Sequence, residues 1–352
     1  MKRFSILILA ALAVVTGCKQ QAFTPRPTLP LVLSLATDTS SVRLSGHGGS
    51  EGSIAIIGEP SDALILARRF LAQDSKDNID GRSQRDSLPD FAGETFDVVL
   101  DANNAPYSHF LDASTDESRP DSLREAAVRH AVFAWGGSRQ AKVLVFTSPM
   151  QALYGLFDVD TLQQLTGGRS HLYSPVKIML ADAIAAGATD IAVWASREVR
   201  SAKIYEQVFE EMGEPGHVAV ITPDQALDSR TSLRSLLRQY RSTGRKLDAL
   251  VLDSFSLDPV PLRSELALIR QGVTEEDQAF ARMISPGFVI LDPCASVVSA
   301  TYDLLRSENL FTHHIHRPVV RYYETRESAS GDLSYLEVNA QYAHNAYVQD
   351  FD

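Results

Sequence analysis

The chain has 352 residues, of which 44% are hydrophobic and 22% are charged. This composition excludes a disordered or fibrous protein, and the length suffices for one large or two medium domains. The 33 basic and 44 acidic residues give a net charge of −11. Because a surface of that sign repels phosphate backbones, nucleic-acid binding is not expected.

The first twenty residues have the pattern of a secretory leader. Lys2 and Arg3 precede an apolar run over residues 4–15, which is too short to span a bilayer as a helix. The run ends in VTGC at residues 15–18, which resembles the lipobox of bacterial lipoproteins. The resemblance implies an acylated Cys18 at the mature N-terminus and a periplasmic body anchored in the cell envelope, with the outer membrane favoured. The alternative is an ordinary leader whose cysteine is accidental.

Residues 18–52 are predicted to be a tether between this leader and a globular body. The segment contains three prolines between residues 25 and 30 and a glycine cluster over residues 46–52. The apolar stretch LVLSL at residues 31–35 leaves an edge strand open as an alternative.

From residue 53 onward, short apolar runs alternate with helical patterns. The runs are almost continuous in apolar and β-branched residues, which is typical of parallel strands covered on both faces. They are SIAIIG (53–58), TFDVVLD (95–101), KVLVF (142–146), DIAVWA (190–195), VAVIT (218–222), DALVLD (248–253) and FVILD (288–292). Residues 318–325 and 333–338 have the pattern of two strands of a hairpin.

The sequence therefore predicts an α/β fold with two lobes of mainly parallel sheet flanked by helices and a C-terminal β-hairpin. The predicted units are a lipoprotein signal peptide (1–17), the tether (18–52), a first lobe (53–170), a second lobe (171–311), and the hairpin with its tail (312–352).

The order of elements over residues 173–272 resembles the second lobe of type I periplasmic binding proteins. Three strands, DIAVWAS, VAVIT and DALVLD, alternate there with helices. The resemblance implies a two-lobed receptor with a ligand cleft, possible association with a transporter, and no individually mapped binding residue. A second resemblance is to the aspartate/glutamate racemase-like group, which also has two α/β lobes around a cleft.

Candidate binding residues follow from the rule that open parallel sheets bind ligands beyond the carboxyl ends of their strands. Each of them also has a plain explanation as a turn residue or, for Trp194, as part of the core. They are Glu59, Ser61, Asp101, Asn103, Asn104, Trp194, Ser196, Arg197, Asp253 and Ser254.

Cys294 follows Asp292-Pro293, where a helix N-terminus would lower the pKa of its thiol and favour a nucleophile. Racemases of the group named above use two cysteines that face each other across the cleft, and this chain has no second one after Cys18. The sequence therefore favours a buried, inert Cys294. His313, His314 and His316 lack a partner motif for zinc, so surface histidines are favoured and neither a metal nor a cofactor is predicted.

The leading functional hypothesis is a lipid-anchored periplasmic protein that binds a small solute between its lobes. The sequence contains no signature of a known catalytic site. An envelope enzyme of unknown class that uses the same cleft is the first alternative, and a scaffold without a small ligand is the second.

Overall fold

The computed structural model of the protein describes residues 28–37, 48–78, 81–111, 119–223, 228–314, 316–327 and 333–347. The leader and Cys18 lie outside these ranges, so lipid anchorage and localisation in the cell envelope stay predictions. None of the helices in the described ranges has the length and apolar character needed to cross a membrane.

The first sheet, sheet 1, contains six strands in the order β10-β9-β2-β1-β3-β4. All neighbouring strands are parallel except the last pair, in which β10 runs antiparallel to β9. The strands are β1 (Ile54–Gly58), β2 (Thr95–Leu100), β3 (Val143–Phe146), β4 (His171–Tyr173), β9 (Val319–Glu327) and β10 (Leu333–Val338).

The second sheet, sheet 2, has four parallel strands in the order β6-β5-β7-β8. They are β5 (Asp190–Trp194), β6 (His217–Ile221), β7 (Leu247–Leu252) and β8 (Ile284–Leu291). Every residue of β1 and β3 is buried, and so are most residues of β5 and β7, as the continuous apolar runs predicted.

Twelve α-helices are present in the described ranges, and those between strands cover both faces of each sheet. The helices are α1 (Leu29–Thr37), α2 (Pro60–Ala72), α3 (Arg119–Trp135), α4 (Pro149–Thr166), α5 (Pro175–Ala185), α6 (Arg197–Ala202), α7 (Ile204–Met212), α8 (Ser229–Tyr240), α9 (Pro259–Gln271), α10 (Glu275–Met283), α11 (Pro293–Ser307) and α12 (Ala340–Tyr347). The predicted α/β class, with mainly parallel sheets and a C-terminal hairpin, is confirmed.

The C-terminal part of the chain returns to sheet 1 after sheet 2 is complete. Helix α11 follows β8, yet its residues Val297, Val298 and Leu305 belong to the core formed by α2 and sheet 1. Strand β9 then pairs with β2, starting at Val319 opposite Thr95. The hairpin predicted as a separate C-terminal unit is therefore an extension of the first sheet.

The described parts of the predicted tether are packed against the body. Residues 31–35 lie in α1, so they form neither a free linker nor an edge strand. Val32 is buried, and Leu31 and Leu35 pack on the same core, because a helical turn brings these three apolar side chains to one face. Thr28 also donates a hydrogen bond of 2.6 Å from Oγ1 to Oδ2 of Asp158 in α4. Residues 28–37 of the predicted tether therefore pack against the body.

Candidate functional site

The carboxyl ends of the strands of both sheets meet at one cleft. In sheet 1, Gly58 is paired with Leu100 and Ile57 with Phe146, so β1, β2 and β3 end at the same level. The segments after these strands pack in shared cores with the segments after β5, β7 and β8 of sheet 2. Phe255, which follows β7, packs in the core of sheet 1, and its carbonyl oxygen lies 4.0 Å from Sγ of Cys294. We call the space between the two edges the cleft.

Three carboxyl groups from both sheets approach one another in this cleft. Glu59 is the N-cap residue of α2, Asp62 lies in the first turn of that helix, and Asp253 follows β7. Burial, followed by the negative charges of Glu59 and Asp253, raises the pKa of Asp62 to about 7. We call Glu59, Asp62 and Asp253 the carboxyl cluster.

The pKa of Asp253 is raised in the same way as that of Asp62. Burial of the carboxyl group raises the pKa of Asp253 to about 7, although the Tyr205 hydroxyl donates it a hydrogen bond of 2.5 Å. Both aspartates are only partly exposed, so they are largely surrounded by protein but keep some solvent-accessible surface. A carboxyl group with a pKa near 7 can donate or accept a proton at neutral pH, which is the property that acid–base catalysis requires.

A buried hydrogen-bond network connects Glu59 to Asp101 through Tyr107. The Tyr107 backbone N–H donates to Oε1 of Glu59 at 2.8 Å, and its hydroxyl donates to Oδ2 of Asp101 at 2.8 Å. Asp101 is fully buried and also lies 3.1 Å from Nε2 of His130. Burial alone would raise the pKa of Asp101, but His130 and the hydrogen bonds from Tyr107 and Asn104 together hold it below its usual value. Asp101 therefore stays ionised and fixes the ring of Tyr107.

Thr147 places a second kind of polar group at the same edge. Its side chain follows β3 and is buried, and its Oγ1 has no hydrogen-bond partner among the described residues. The neighbouring Gly58 approaches it so closely that a Cβ there would lie 1.9 Å from that oxygen. Thr147 therefore packs closely against Gly58 at the end of β1.

A large cavity of about 830 Å³ opens beside the carboxyl cluster. One wall is α2, a second is the turn between β7 and α9, and a third is the C-terminal helix α12. Ser61 and Phe255 line the cavity, and each is close in the chain to a member of the carboxyl cluster. The volume lies within the usual range for small-molecule sites.

Cys294 also lines the cavity, but its thiol is not activated. Its side chain is buried, and this burial, together with the charge of Asp292, raises the pKa of the Cys294 thiol to about 12. The predicted burial of Cys294 is confirmed. The alternative of a thiolate at a helix N-terminus is wrong, because loss of solvation and a neighbouring carboxylate outweigh the helix dipole.

The structure brings only some of the predicted binding residues to the carboxyl cluster. Glu59 and Asp253 are members of it, and Ser61 lies at the cavity wall beside it. Asp101 belongs to the buried network beneath, where Asn104 donates to both of its carboxylate oxygens at 2.9 and 3.1 Å.

Four of the other five predicted binding residues have local structural roles, and the fifth, Arg197, lies elsewhere. Asn103 donates its backbone N–H to Oγ1 of Thr325, and the Ser254 hydroxyl is paired with Ser256. Ser196 caps α6, and Trp194 is buried in the core on one face of sheet 2. Arg197 lines a separate cavity of about 490 Å³.

The binding residues selected from the sequence do not include Asp62, Tyr205 or His130, although Asp62 follows the end of β1 together with Glu59 and Ser61. Asp62 lies in the first turn of α2, where an acidic residue is already explained by the helix dipole. Tyr205 and His130 lie within helices, far in sequence from the aspartates that they contact. Only the tertiary contacts reveal their connection to the cleft.

His313, His314 and His316 are exposed. Nε2 of His314 lies 3.7 Å from Glu51, and Nδ1 of His316 lies 2.7 Å from the carbonyl oxygen of Arg317. Across the described ranges, no group of three or more His, Cys, Asp or Glu side chains has the geometry to hold a metal ion.

The fold and the site define a two-sheet α/β protein with ionisable groups at the facing carboxyl edges of its sheets. No protein-family model matches the chain, and no curated protein sequence does either. Solved structures do show similarity. Glutamate racemase from Francisella tularensis, in complex with D-glutamate, superposes with a TM-score of 0.50 at 12% identity, covering 80% of this chain and 91% of that one.

Two further racemase structures overlap less closely. Glutamate racemase from Thermus thermophilus has a TM-score of 0.47 at 12% identity and covers 80% of this chain and 91% of its own. Aspartate racemase from Picrophilus torridus has a TM-score of 0.40 at 11% identity and covers 73% of this chain and 94% of its own.

The likeness to the Francisella enzyme corrects the leading prediction from the sequence. The chain has a racemase-like fold, so the resemblance to type I periplasmic binding proteins is wrong, and the solute receptor with its transporter partner is not retained. Both classes alternate short strands with helices around a cleft, and the element pattern over residues 173–272 cannot separate them.

Proposed function

We propose that the protein is an enzyme that moves protons to and from a carbon atom of a small molecule held in the cleft. The observation that carries this proposal is the position of Asp62 and Asp253. They come from opposite sheets, and each has a pKa raised to about 7. The racemase-like fold supports an enzyme over a receptor.

The two aspartates are suited to complementary roles. Because the charge of Asp253 raises the pKa of Asp62, the pair favours a state that holds one proton. In that state the ionised carboxylate accepts a proton from the substrate C–H bond, whose electron pair remains on the substrate as a carbanion. The protonated partner then donates its proton to the same carbon from the other side of the cleft.

Tyr205 and the start of α2 assist these steps. Tyr205 donates to Oδ1 of Asp253, so it orients this carboxyl group and leaves Oδ2 for the substrate. Glu59, at the N-cap of α2, makes no capping hydrogen bond, and Ser61 in the first turn lines the cavity. The positive end of the helix dipole therefore lies beside the site and stabilises negative charge that develops on the substrate.

The mechanism does not use paired thiols. Cys294 is buried with a thiol pKa of about 12, so it is protonated at neutral pH. The carboxyl cluster takes the place of thiol chemistry in this proposal, and substrates are therefore sought among carbon acids in general. The Francisella racemase was crystallised with D-glutamate, so amino acids belong in the first panel.

Hydrogen–deuterium exchange at carbon tests the proposal directly. The protein is incubated in D₂O at pH 7 with separate panels of amino acids, hydroxy acids and longer carboxylic acids, and loss of C–H signals is followed by proton NMR. We expect exchange with at least one compound. The exchange rate should be about 10²-fold or more lower in Asp62→Asn and in Asp253→Asn. Asp303→Asn, at an exposed site on α11, is the matched control and should exchange at the wild-type rate.

Two results would contradict the proposal. One is the absence of exchange with every compound in the panel. The other is exchange that both aspartate variants retain in full while their melting temperatures show that they are folded.

A further inference from the structure

The cavity beside the carboxyl cluster has two arginines on one wall. Ser61, Ile65, Arg68 and Arg69 all line it, and their spacing places them on one face of α2. Both arginines are exposed to solvent. We call this space the arginine cavity.

Arg68 and Arg69 have little compensation from acidic groups. Arg68 contacts the imidazole of His344 in α12, and no carboxylate among the described residues forms an ion pair with it. Nη2 of Arg69 lies 3.7 Å from Oδ2 of Asp292, which is longer than a hydrogen bond. The positive charge of this wall is therefore available to a ligand.

The two aspartates of the arginine cavity are already engaged. Asp258 caps α9 by accepting a hydrogen bond from the Val260 N–H, and Asp292 caps α11 by accepting one from the Cys294 N–H. Each carboxylate therefore interacts with the positive end of a helix, which offsets its charge. Although two arginines face two aspartates, the arginine cavity favours an anion.

The rest of the lining is apolar. Phe255 and Leu257 come from the turn after β7, and Ile65 comes from α2. Ala346 and Tyr347 of α12 close the opposite side. A ligand that fills this space needs an apolar portion as well as an anionic group.

We propose that the arginine cavity binds an organic anion, a carboxylate or a phosphate ester, whose apolar chain separates the anionic group from the reacting carbon. This inference rests on the proposed function, because it assigns the ligand of the arginine cavity as the substrate of the carboxyl cluster. Arg69 lies seven residues after Asp62 on α2, which is roughly 10 Å along the helix at 1.5 Å per residue. This separation of the backbone positions favours recognition of a distal anionic group of the substrate over a carboxylate attached to the reacting carbon.

Binding of a matched series of eight-carbon compounds tests the charge requirement. Octanoate, octyl phosphate, 1-octanol and octylamine share one apolar chain and differ in the head group. Calorimetric titration of the full chain should show that at least one of the two anions binds ten-fold or more tightly than the alcohol and the amine. The comparison of octanoate with octyl phosphate shows which anionic group the arginine cavity prefers.

Substitution of the arginines tests the location. We expect R68Q/R69Q to weaken binding of the preferred anion at least ten-fold and to remove its dependence on salt concentration. Arg270→Gln is the matched control, because Arg270 is exposed near the far end of α9 and should leave binding unchanged. Equal binding of anions and alcohol, or unchanged anion binding in R68Q/R69Q, would overturn the inference. Melting curves of R68Q/R69Q and of Arg270→Gln verify that the two variants are folded.

The carbon-exchange assay separates this inference from the proposed function. Anion binding that needs the arginines, without exchange in any compound, supports the anion site and contradicts the proposed enzyme. Exchange in a compound whose KM is the same in R68Q/R69Q supports the enzyme and overturns the arginine cavity as its substrate site. Exchange with a KM that rises at least ten-fold in R68Q/R69Q, at unchanged kcat, supports both.

Discussion

Lys142 and Glu94 form an ion pair in the interior, and its removal is a stringent test of the described fold. Nζ of Lys142 lies 2.6 Å from Oε2 of Glu94, and both side chains are essentially inaccessible, at 0% and 1%. Nζ also donates to the carbonyl oxygens of Ser50 and Leu310 at 2.6 and 2.8 Å. Burial lowers the pKa of Lys142 and raises that of Glu94, so the loss of solvation by the two groups is large.

Replacing Lys142 by Met should destabilise the protein by about 3–5 kcal/mol at pH 7. The methionine fills most of the volume, but Glu94 becomes a buried charge without its counter-ion. Adding Glu94→Met to this variant removes that charge. The double variant should therefore be no less stable than Lys142→Met alone, although Glu94→Met by itself is destabilising.

The pH dependence of the stability of Lys142→Met is a second, independent test of the buried ion pair. In Lys142→Met the buried Glu94 has a pKa above its unfolded value, so the folded state binds more protons than the unfolded state. Stability then falls as pH rises through the Glu94 pKa, and the deficit of the variant should be smaller at pH 5 than at pH 7. Urea unfolding followed by circular dichroism at both pH values measures it.

Arg129→Met is the control for this experiment. Arg129 and Glu125 form a helix-surface pair with 36% and 48% exposed side chains, so its loss should cost well below 1 kcal/mol. If Lys142→Met cost no more than Arg129→Met, the buried ion pair and the burial of this region would be refuted.

Three further predictions concern the cleft and the packing of sheet 1. Because the folded pKa of Asp253 is about 7, the folded state keeps a proton that the unfolded state loses from about pH 4 upward. Asp253→Asn should therefore melt at a higher temperature than wild type at pH 8 and at about the same temperature at pH 4. A lower melting temperature of the variant at pH 8 would contradict the raised pKa. Iodoacetamide at pH 8 should modify Cys294 only slowly in the folded protein and rapidly in urea, as measured by peptide mass spectrometry, because the thiol is buried with a pKa of about 12; equal rates would show that it is exposed. Gly155→Ala should destabilise the contact between α3 and α4, because the new Cβ would lie 2.3 Å from Cβ of Ala127. Adding Ala127→Gly should recover the lost stability. A Gly155→Ala variant that melts like wild type would contradict this packing.

The sequence predicted the strands well because their signal is local. In the run DALVLD the four residues between the two aspartates are all apolar, and burial on both faces of a parallel sheet is the physical reason for that pattern. Strand ends were equally legible, so Glu59 and Asp253 could be selected as candidates. The pattern of residues 31–35, four apolar residues interrupted by Ser34, suits a strand or a helix, and only the partner surface on α4 decides between them.

What the sequence by itself determined is the α/β class, the identity of most strands and the edge of the sheets where ionisable residues gather. Those features follow from residue-by-residue burial and turn chemistry, which act over a few positions. The tertiary structure alone decided that α11 and the hairpin return to sheet 1, and that Asp62 and Asp253 approach across the cleft. It also decided that Cys294 is buried beside Asp292, which raises the pKa of its thiol. The pKa of a carboxyl group depends on the charges and the loss of solvent around it in space, and those surroundings come from segments nearly two hundred residues apart.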